Sequence, residues 1–267
     1  MLERNVEAPP LLRARSHTLA NANTRWAGVL VDTLARLCLE QVVVSPGSRS
    51  GPLATAFGEH ADIGKVVMLD ERSAGFYALG LARQSRRAVA LVCTSGTAGA
   101  NYYPAVIEAS MGAAPLIVLT ADRPPEMRQC SSGQTIEQPG LYGRYARWQA
   151  DLGLPEDGFN ALRYLRQSIV QAWSQAQGVP NGPVHLNVPF RDPLAPIAQA
   201  GERTFTKADF AKLLEGVKPL PRARASLPRA EREALLAEMD VHKKGVIVAG
   251  PAIPHDAAAY VRAVAGI

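Results

Sequence analysis

Several features that would assign a function at once are missing from these 267 residues. No apolar run approaches the roughly 18 residues that a bilayer-spanning helix needs, so we expect no membrane span. The first residues mix acidic and basic side chains without a continuous apolar stretch, which argues against a secretory signal. The three cysteines, Cys38, Cys93 and Cys130, are odd in number and widely spaced, and no Cys/His spacing matches a metal site. The sequence therefore predicts a cytoplasmic protein with reduced thiols and no metal ligand of its own.

A concentrated basic surface is also missing, although the formal net charge is +5. The Lys and Arg residues are scattered along the chain, and no basic helix is interleaved with aromatic residues, so nucleic-acid binding is not predicted. Small anionic substrates are the better explanation of the basic excess. The 47% of apolar residues is enough for a substantial core.

What the chain does have is an alternation of strand-like and helix-like segments between Asn23 and about Pro189. The pattern predicts strands at 41–45, 65–69, 88–93, 115–120 and 184–188. It predicts one helix capped by Asn23 or Thr24 and further helices at 71–83, 98–110 and 159–177. Strands that alternate with helices indicate right-handed βαβ units. We therefore expect an α/β fold, an open parallel sheet flanked by helices.

The composition changes after Asp192, which divides the chain into 1–192, 193–228 and 229–267. The middle segment holds several prolines and basic residues with little apolar periodicity, and it is interpreted as a linker. The last segment has a helix pattern at 230–239, a strand pattern at 245–250 and a further helix pattern at 257–265. One βα unit cannot bury its own apolar face. Either this βα unit packs on the first domain, or the sequence is a fragment of a longer protein that contains a second α/β domain. We favour the fragment.

Four loops are expected to carry the chemistry, because ligands bind outside the carboxyl ends of the strands of an open parallel sheet. They offer two arginines, a glutamate and a glutamine, but each also has an ordinary structural explanation. Arg49 could be incidental to a surface turn, Glu71 could interact with a helix dipole, and Arg123 could pair with a nearby carboxylate. The loops are Ser45-Pro46-Gly47-Ser48-Arg49-Ser50-Gly51, Asp70-Glu71-Arg72, Thr94-Ser95-Gly96-Thr97-Ala98-Gly99, and Ala121-Asp122-Arg123-Pro124-Pro125-Glu126 with the following Cys130-Ser131-Ser132-Gly133-Gln134.

The order of these motifs, together with Gln138-Pro139-Gly140, closely resembles one family over about residues 26–193. That family is the 2-succinyl-5-enolpyruvyl-6-hydroxy-3-cyclohexene-1-carboxylate synthases, thiamine-diphosphate enzymes of menaquinone and phylloquinone biosynthesis. The resemblance implies decarboxylation of 2-oxoglutarate and addition of the resulting succinic semialdehyde unit to isochorismate. It also implies a homo-oligomer with the active site at a subunit interface. Residues 1–192 would be the pyrimidine-binding domain, and 229–267 the beginning of a central domain.

The resemblance also implies roles for individual residues. Glu71 matches the catalytic glutamate that hydrogen-bonds the aminopyrimidine ring of the cofactor, and Ser95 and Thr97 match the loop near that ring. The substrate pocket is implied to contain Ser48, Arg49, Arg123 and Gln134, since both substrates are dicarboxylates that need fixed cations. Mg²⁺ would be held by a C-terminal Gly-Asp-Gly…Asn segment that does not occur here.

The chain departs from the family pattern at Gly133, where many relatives have asparagine, and this leaves one substrate hydrogen bond open. Two alternatives remain. One is another thiamine-diphosphate decarboxylase or ligase, against which Arg49 and the Asp122-Arg123-Pro124-Pro125 loop argue. The other is a non-catalytic binding or assembly module with the same fold, consistent with the missing metal segment.

Overall fold

The computed structural model describes residues 20–199, 205–219, 226–241 and Arg262. The chain divides into two compact units, residues 1–222 and 223–267. In the described part of the second unit, helix α8 covers Arg229–Val241. This agrees with the helix predicted at 230–239, whereas the strand predicted at 245–250 and the helix at 257–265 lie outside the described residues.

The first unit is built on a six-stranded, all-parallel sheet, so the predicted α/β fold is confirmed. Its spatial order is β2-β1-β3-β4-β6-β5. The strands are β1 (Gln41–Val44), β2 (Gly64–Val67), β3 (Val89–Cys93), β4 (Leu116–Asp122), β5 (Trp148–Asp151) and β6 (Val184–Pro189). The helices are α1 (Ala22–Arg36), α2 (Gly51–Glu59), α3 (Glu71–Ser85), α4 (Ala98–Asn101), α5 (Tyr103–Met111), α6 (Phe159–Ala176) and α7 (Lys207–Leu213).

Helices cover both faces of this sheet, because the central strands are apolar on both sides. β3 and β4 are buried along their whole length, as parallel strands in α/β folds are. Successive side chains point to opposite faces, so Val42 and Val44 join one core cluster and Val43 joins the other. Helices α1, α2, α6 and α7 contribute to the first cluster and α3, α4 and α5 to the second. Among the described helices, none is long and apolar enough to cross a membrane.

The start of α1 differs from the prediction. Asn21 is the N-cap, and it forms a capping box with Thr24: Asn21 Oδ1 accepts from the Thr24 amide at 2.9 Å, and Thr24 Oγ1 accepts from the Asn21 amide at 3.0 Å. Asn23 lies inside the helix, where its side chain donates to the carbonyl oxygens of Arg191 and Pro193. The expected cap at Asn23 or Thr24 was therefore wrong, because those side chains have other partners.

The helix predicted at 98–110 is two helices, α4 and α5, which meet at Tyr102. Pro104 explains the interruption, since proline has no amide hydrogen and its ring clashes with the carbonyl four residues earlier. It is tolerated near the start of α5, where no intrahelical partner is needed. The break leaves Tyr102 fully buried, with its hydroxyl donating to the Val92 carbonyl at 2.8 Å.

The linker predicted at 193–228 also needs correction. It contains α7, which begins with a capping box between Thr206 and Asp209. Phe205, Phe210 and Leu213 are buried in the core cluster that includes α1 and α6. The described residues 205–217 are thus an integral part of the first unit, because their apolar side chains complete its core.

Candidate active site

The four predicted loops follow β1, β2, β3 and β4, which are parallel and adjacent in the sheet. Parallel strands end at the same edge, so the four loops leave the sheet on one side. The structure therefore brings the predicted site residues to a common edge, and their contacts show which of them meet.

Ser95 connects the predicted cofactor loop to two residues predicted for the substrate pocket. Its hydroxyl accepts a hydrogen bond from Arg123 Nη1, and its carbonyl accepts one from Gln134 Nε2 at 3.0 Å. Gln134 has φ +56°, a left-handed conformation that costs free energy for a residue other than glycine. The three residues therefore form one constellation, although Ser95 comes from the loop after β3 and the other two from the loop after β4.

The surface pairing considered for Arg123 does not occur. Glu126 instead forms a two-bond ion pair with Arg191, at 2.6 and 3.0 Å. Hydrogen bonding to Arg191 lowers the pKa of the exposed Glu126 to about 2. The side chain of Asp122 binds Arg128 at 2.9 Å, and only the backbone amide of Arg123 donates to Asp122. Arg123 is thus directed at Ser95 rather than at a carboxylate.

Arg49 is not an incidental surface residue, because only 8% of it is exposed. Its Nη1 donates to the Phe190 carbonyl at 2.9 Å and lies 3.4 Å from the exposed carboxylate of Asp192. The amide of Phe190 in turn donates to the Asp122 carbonyl at the end of β4. Arg49 is therefore anchored to the strand end that carries Arg123.

Both arginines retain unused hydrogen-bonding capacity. Nε of Arg49 and Nε of Arg123 are buried and have no hydrogen-bond partner among the described residues. A buried donor without a partner carries a free-energy cost of about 1–3 kcal/mol, more when it is charged.

Glu71 is the first residue of α3 and is partly buried. The preceding Asp70 provides the cap, and its side chain accepts from the Ser73 amide at 3.1 Å. Burial is the main cause that raises the pKa of Cys93 at the end of β3, and the charge of Glu71 raises this pKa further. Glu71 therefore lies close enough to the end of β3 for its charge to act there. Since capping is supplied by Asp70, the carboxylate of Glu71 is not needed for the helix cap.

The turns after β1 and β3 approach each other so closely that glycine is required. A Cβ on Gly47 would lie 2.5 Å from Thr94 Cβ, which no real contact allows. Thr94 Oγ1 is buried beside Ser95 without a hydrogen-bond partner among the described residues. The side chain of Thr94 is therefore held at the contact between these two turns.

Three other positions are more exposed. Ser48 and Thr97 are solvent-accessible, and the carbonyl of Thr97 accepts from Asn101 Nδ2 at 3.0 Å. Gly133 is also exposed, and a Cβ there would meet nothing within 4 Å. The departure at Gly133 therefore leaves open space next to Gln134 rather than a rearranged turn.

A buried polar network beneath the site was not foreseen. It contains Asp122, Gln138 and Asn187, each at most 1% exposed. Gln138 belonged to the recognised motif but had no assigned role, and Asn187 lies in a strand, 184–188, for which no site residue was predicted. The signal in the sequence was the alternation of His185 and Asn187 with apolar residues in β6, which places two polar side chains on one buried face.

The chain is similar to one domain family and to a group of named enzymes. Residues 24–141 match the family described as "Thiamine pyrophosphate enzyme, N-terminal TPP binding domain". The chain is 51% identical over 251 residues to a 2-succinyl-5-enolpyruvyl-6-hydroxy-3-cyclohexene-1-carboxylate synthase of Synechococcus elongatus, covering 92% of this chain and 41% of that protein. It is 49% identical over 246 residues to the synthase of that name from Acaryochloris marina, covering 92% and 42%. The chain thus spans about two fifths of the length of these curated relatives.

Proposed function

Because the chain is homologous to the N-terminal part of these synthases and has the fold of a thiamine-pyrophosphate-binding domain, we propose that it forms part of such a synthase. The proposed reaction decarboxylates 2-oxoglutarate and adds the resulting succinic semialdehyde unit to isochorismate. It would take place in the cytoplasm, which fits three cysteines that are all free thiols.

The observation that carries this proposal is that the loops after β1 and β4 bring two arginines, Arg49 and Arg123, to one edge of the sheet, with Arg123 hydrogen-bonded to Ser95 rather than to a carboxylate. Guanidinium groups bind carboxylates through parallel hydrogen bonds, and both proposed substrates are dicarboxylates. A monocarboxylate substrate would need fewer fixed cations. Ser48 and Gln134 would add neutral hydrogen bonds beside Arg49 and Arg123.

The cofactor proposed here is thiamine diphosphate with Mg²⁺. Glu71, Ser95 and Thr97 would hold the aminopyrimidine ring. When bound, thiamine diphosphate supplies an electron sink for decarboxylation and a nucleophilic carbon for carbon–carbon bond formation. We assign no Mg²⁺ ligand to this chain.

Glu71 would act as the acid–base residue. A carboxyl oxygen of Glu71 would hold a proton against a ring nitrogen, and the partial burial of this side chain limits exchange of that proton with water. Arg49 and Arg123 would orient the substrate carboxylates, and the close-packed turns at Gly47 and Gly96 would exclude water from the reacting groups.

A second copy of the chain is proposed to cover the face formed by β2 and α3. Val67 and Leu69 are 64% and 83% exposed, Leu69 stands two residues before Glu71, and Phe76 and Tyr77 are exposed on α3. Gly80 continues the same helical face three residues after Tyr77 and allows close approach of another helix. A homo-oligomer with the site at this interface would bury an apolar surface that lies beside the catalytic carboxylate.

The test is steady-state kinetics of the protein that contains this chain, assayed with both substrates, thiamine diphosphate and Mg²⁺. Glu71→Gln retains the shape but cannot relay a proton, so turnover is expected to fall by roughly 10²–10⁴ with a modest effect on the Michaelis constants. Arg49→Ala and Arg123→Ala are expected to raise a Michaelis constant about ten- to a hundredfold, since each removes a charge-assisted contact worth on the order of 1.5–3 kcal/mol. A Glu71→Gln variant with full activity would remove the catalytic assignment.

A further inference from the structure

The polar network beneath the site includes Gln138, whose side chain has no role in the proposed function. Only 1% of Gln138 is exposed, and the three hydrogen bonds of its side chain connect different parts of the sheet edge. Oε1 accepts from the Gly96 amide at 2.8 Å. Nε2 donates to the Ala121 carbonyl at 3.1 Å and to Asn187 Oδ1 at 3.0 Å. One side chain thereby ties the turn after β3 to the ends of β4 and β6.

Asn187 determines how the amide of Gln138 is oriented. Asn187 Nδ2 donates to Asp122 Oδ2 at 2.9 Å and to Asp151 Oδ1 at 3.1 Å, so its oxygen must face the other way. That oxygen accepts from Thr120 Oγ1 at 3.0 Å and from Gln138 Nε2. Turning either amide over would place oxygen against oxygen. The network therefore has a single arrangement, in which Oε1 of Gln138 points at Gly96.

The Gly96 amide needs this partner. Gly96 is buried and has φ +82°, so it turns the chain sharply at the point where β3 gives way to α4. A buried amide without an acceptor is costly, and the side chain of Gln138 supplies the acceptor that a regular helix or strand would have provided. The conformation of the turn is therefore coupled to the presence of Gln138.

We propose that Gln138, oriented by Asn187, is a positioning residue that fixes the Ser95–Gly96 turn and, through it, Arg123 and Gln134. Ser95 receives the guanidinium of Arg123 on its hydroxyl and the amide of Gln134 on its carbonyl. A shift of the turn would move both acceptors together. The link to substrate binding rests on the proposed function, whereas the link from Gln138 to the turn does not.

The link to the turn is tested by hydrogen exchange of the 267-residue chain. In the wild-type chain the Gly96 amide is expected to exchange slowly for a loop amide. In Gln138→Met, which has a similar volume but no donor or acceptor at its end, residues 94–98 are expected to exchange about tenfold faster, while β3 and β4 stay protected. Gln171→Met on the exposed side of α6 is the matched control. Fast wild-type exchange at Gly96, an unchanged rate in Gln138→Met, or a uniform acceleration across the first unit would each overturn the proposal.

The link to the pocket is tested by a double-mutant cycle in the protein that contains this chain. Gln138→Met is expected to raise the Michaelis constant of the substrate that Arg123 binds about tenfold, with turnover changed less. In a protein that already carries Arg123→Ala, Gln138→Met should raise the Michaelis constant little further, because the Arg123 contact that Gln138 positions is already missing. Additive losses would indicate a general structural role and contradict positioning. If the wild-type protein had no synthase activity while the exchange result held, the proposed function alone would fail.

Discussion

At the residue scale, the buried groups beneath the site have defined protonation states. Thr120 has one hydroxyl hydrogen, which it donates to Asn187 Oδ1, and it also lies 2.8 Å from His185 Nε2. His185 Nε2 must therefore carry a hydrogen and donate it to Thr120. The ring packs edge-on against Tyr142, with centroids 4.8 Å apart. Burial lowers the pKa of His185 to about 4, so the imidazole is neutral at physiological pH.

The protonation state of His185 predicts how stability depends on pH. The unfolded histidine has a pKa of about 6.5, so between pH 6.5 and 4 the unfolded state binds more protons than the folded state. The contribution of His185 is therefore complete above pH 6.5 and is lost as the pH falls, by about 2 kcal/mol at pH 5. His185→Gln retains a donor for Thr120 but cannot titrate, and urea unfolding at several pH values should show a shallower acid loss than in the wild type. Equal slopes in both proteins would contradict the assignment.

A second prediction at this scale concerns the close approach of two turns. Gly47→Ala would place a methyl group within 2.8 Å of the buried Thr94 side chain, which cannot move without disturbing Ser95. We expect a loss of about 1–3 kcal/mol in the free energy of unfolding, the usual cost of overpacking. Gly58→Ala is the control, because Gly58 lies in α2 with nothing within 4 Å, and alanine there should stabilise by about 0.5–1 kcal/mol. Urea unfolding of both variants distinguishes a tight contact from a general glycine effect.

At the scale of helices and strands, the sequence predicted the elements with strong apolar patterns. It missed elements whose formation depends on contacts with other parts of the chain. The continuous apolar runs of β3 and β4 identified buried parallel strands. β5 has only four residues, and it is a strand because Trp148 to Asp151 pair with Val184 to Asn187 of β6. Helix α2 begins with Gly51-Pro52, a pair that usually indicates a loop, but proline is compatible with the first turn of a helix.

The candidate site also has a part that the sequence predicted and a part that it did not. Because the loops after parallel strands leave the same edge of a sheet, the sequence correctly predicted that loops distant in sequence would meet. They meet where Arg123 and Gln134 contact Ser95. The network beneath them could not be predicted, because Asp122 and Asn187 are 65 positions apart in the chain. Their contact depends on the register that pairs Asp122 with Pro189, which only the structure provides.

Helix α7 leads to a prediction at this scale, since it lies in a segment that resembles a linker. Phe210 is 2% exposed and packs edge-on against Phe205, with ring centroids 5.7 Å apart. The carbonyl of Leu213 accepts from Arg166 Nη1 of α6 at 2.7 Å. Phe210→Ala should therefore cost about 3–5 kcal/mol in urea unfolding, whereas Lys212→Ala, an exposed change in the same helix, should stay within about 0.5 kcal/mol. A small effect of Phe210→Ala would mean that α7 is only loosely attached.

At the scale of the whole molecule, one surface of the first unit exposes large apolar and aromatic side chains on β2, after it and on α3. β2 is an edge strand, and these side chains are Val67 on it, Leu69 after it, and Phe76 and Tyr77 on α3. Exposed edges and apolar patches of this kind are normally covered in native proteins. A second copy is the occupant we propose, because the patch adjoins the carboxylate whose burial the proposed chemistry requires.

The oligomer proposal predicts that a charge on the outer face of α3 separates the copies. Tyr77 is 43% exposed on that face, and Tyr164 is 59% exposed on α6, on a different part of the first unit. In sedimentation velocity over a concentration series, the wild-type chain should self-associate, and Tyr77→Glu should raise the dissociation constant at least about tenfold by placing an unpaired charge in an apolar contact. Tyr164→Glu adds the same charge at an exposed tyrosine and should leave association unchanged. A wild-type chain that stays monomeric throughout, or equal weakening by both substitutions, would show that this face does not bind a second copy.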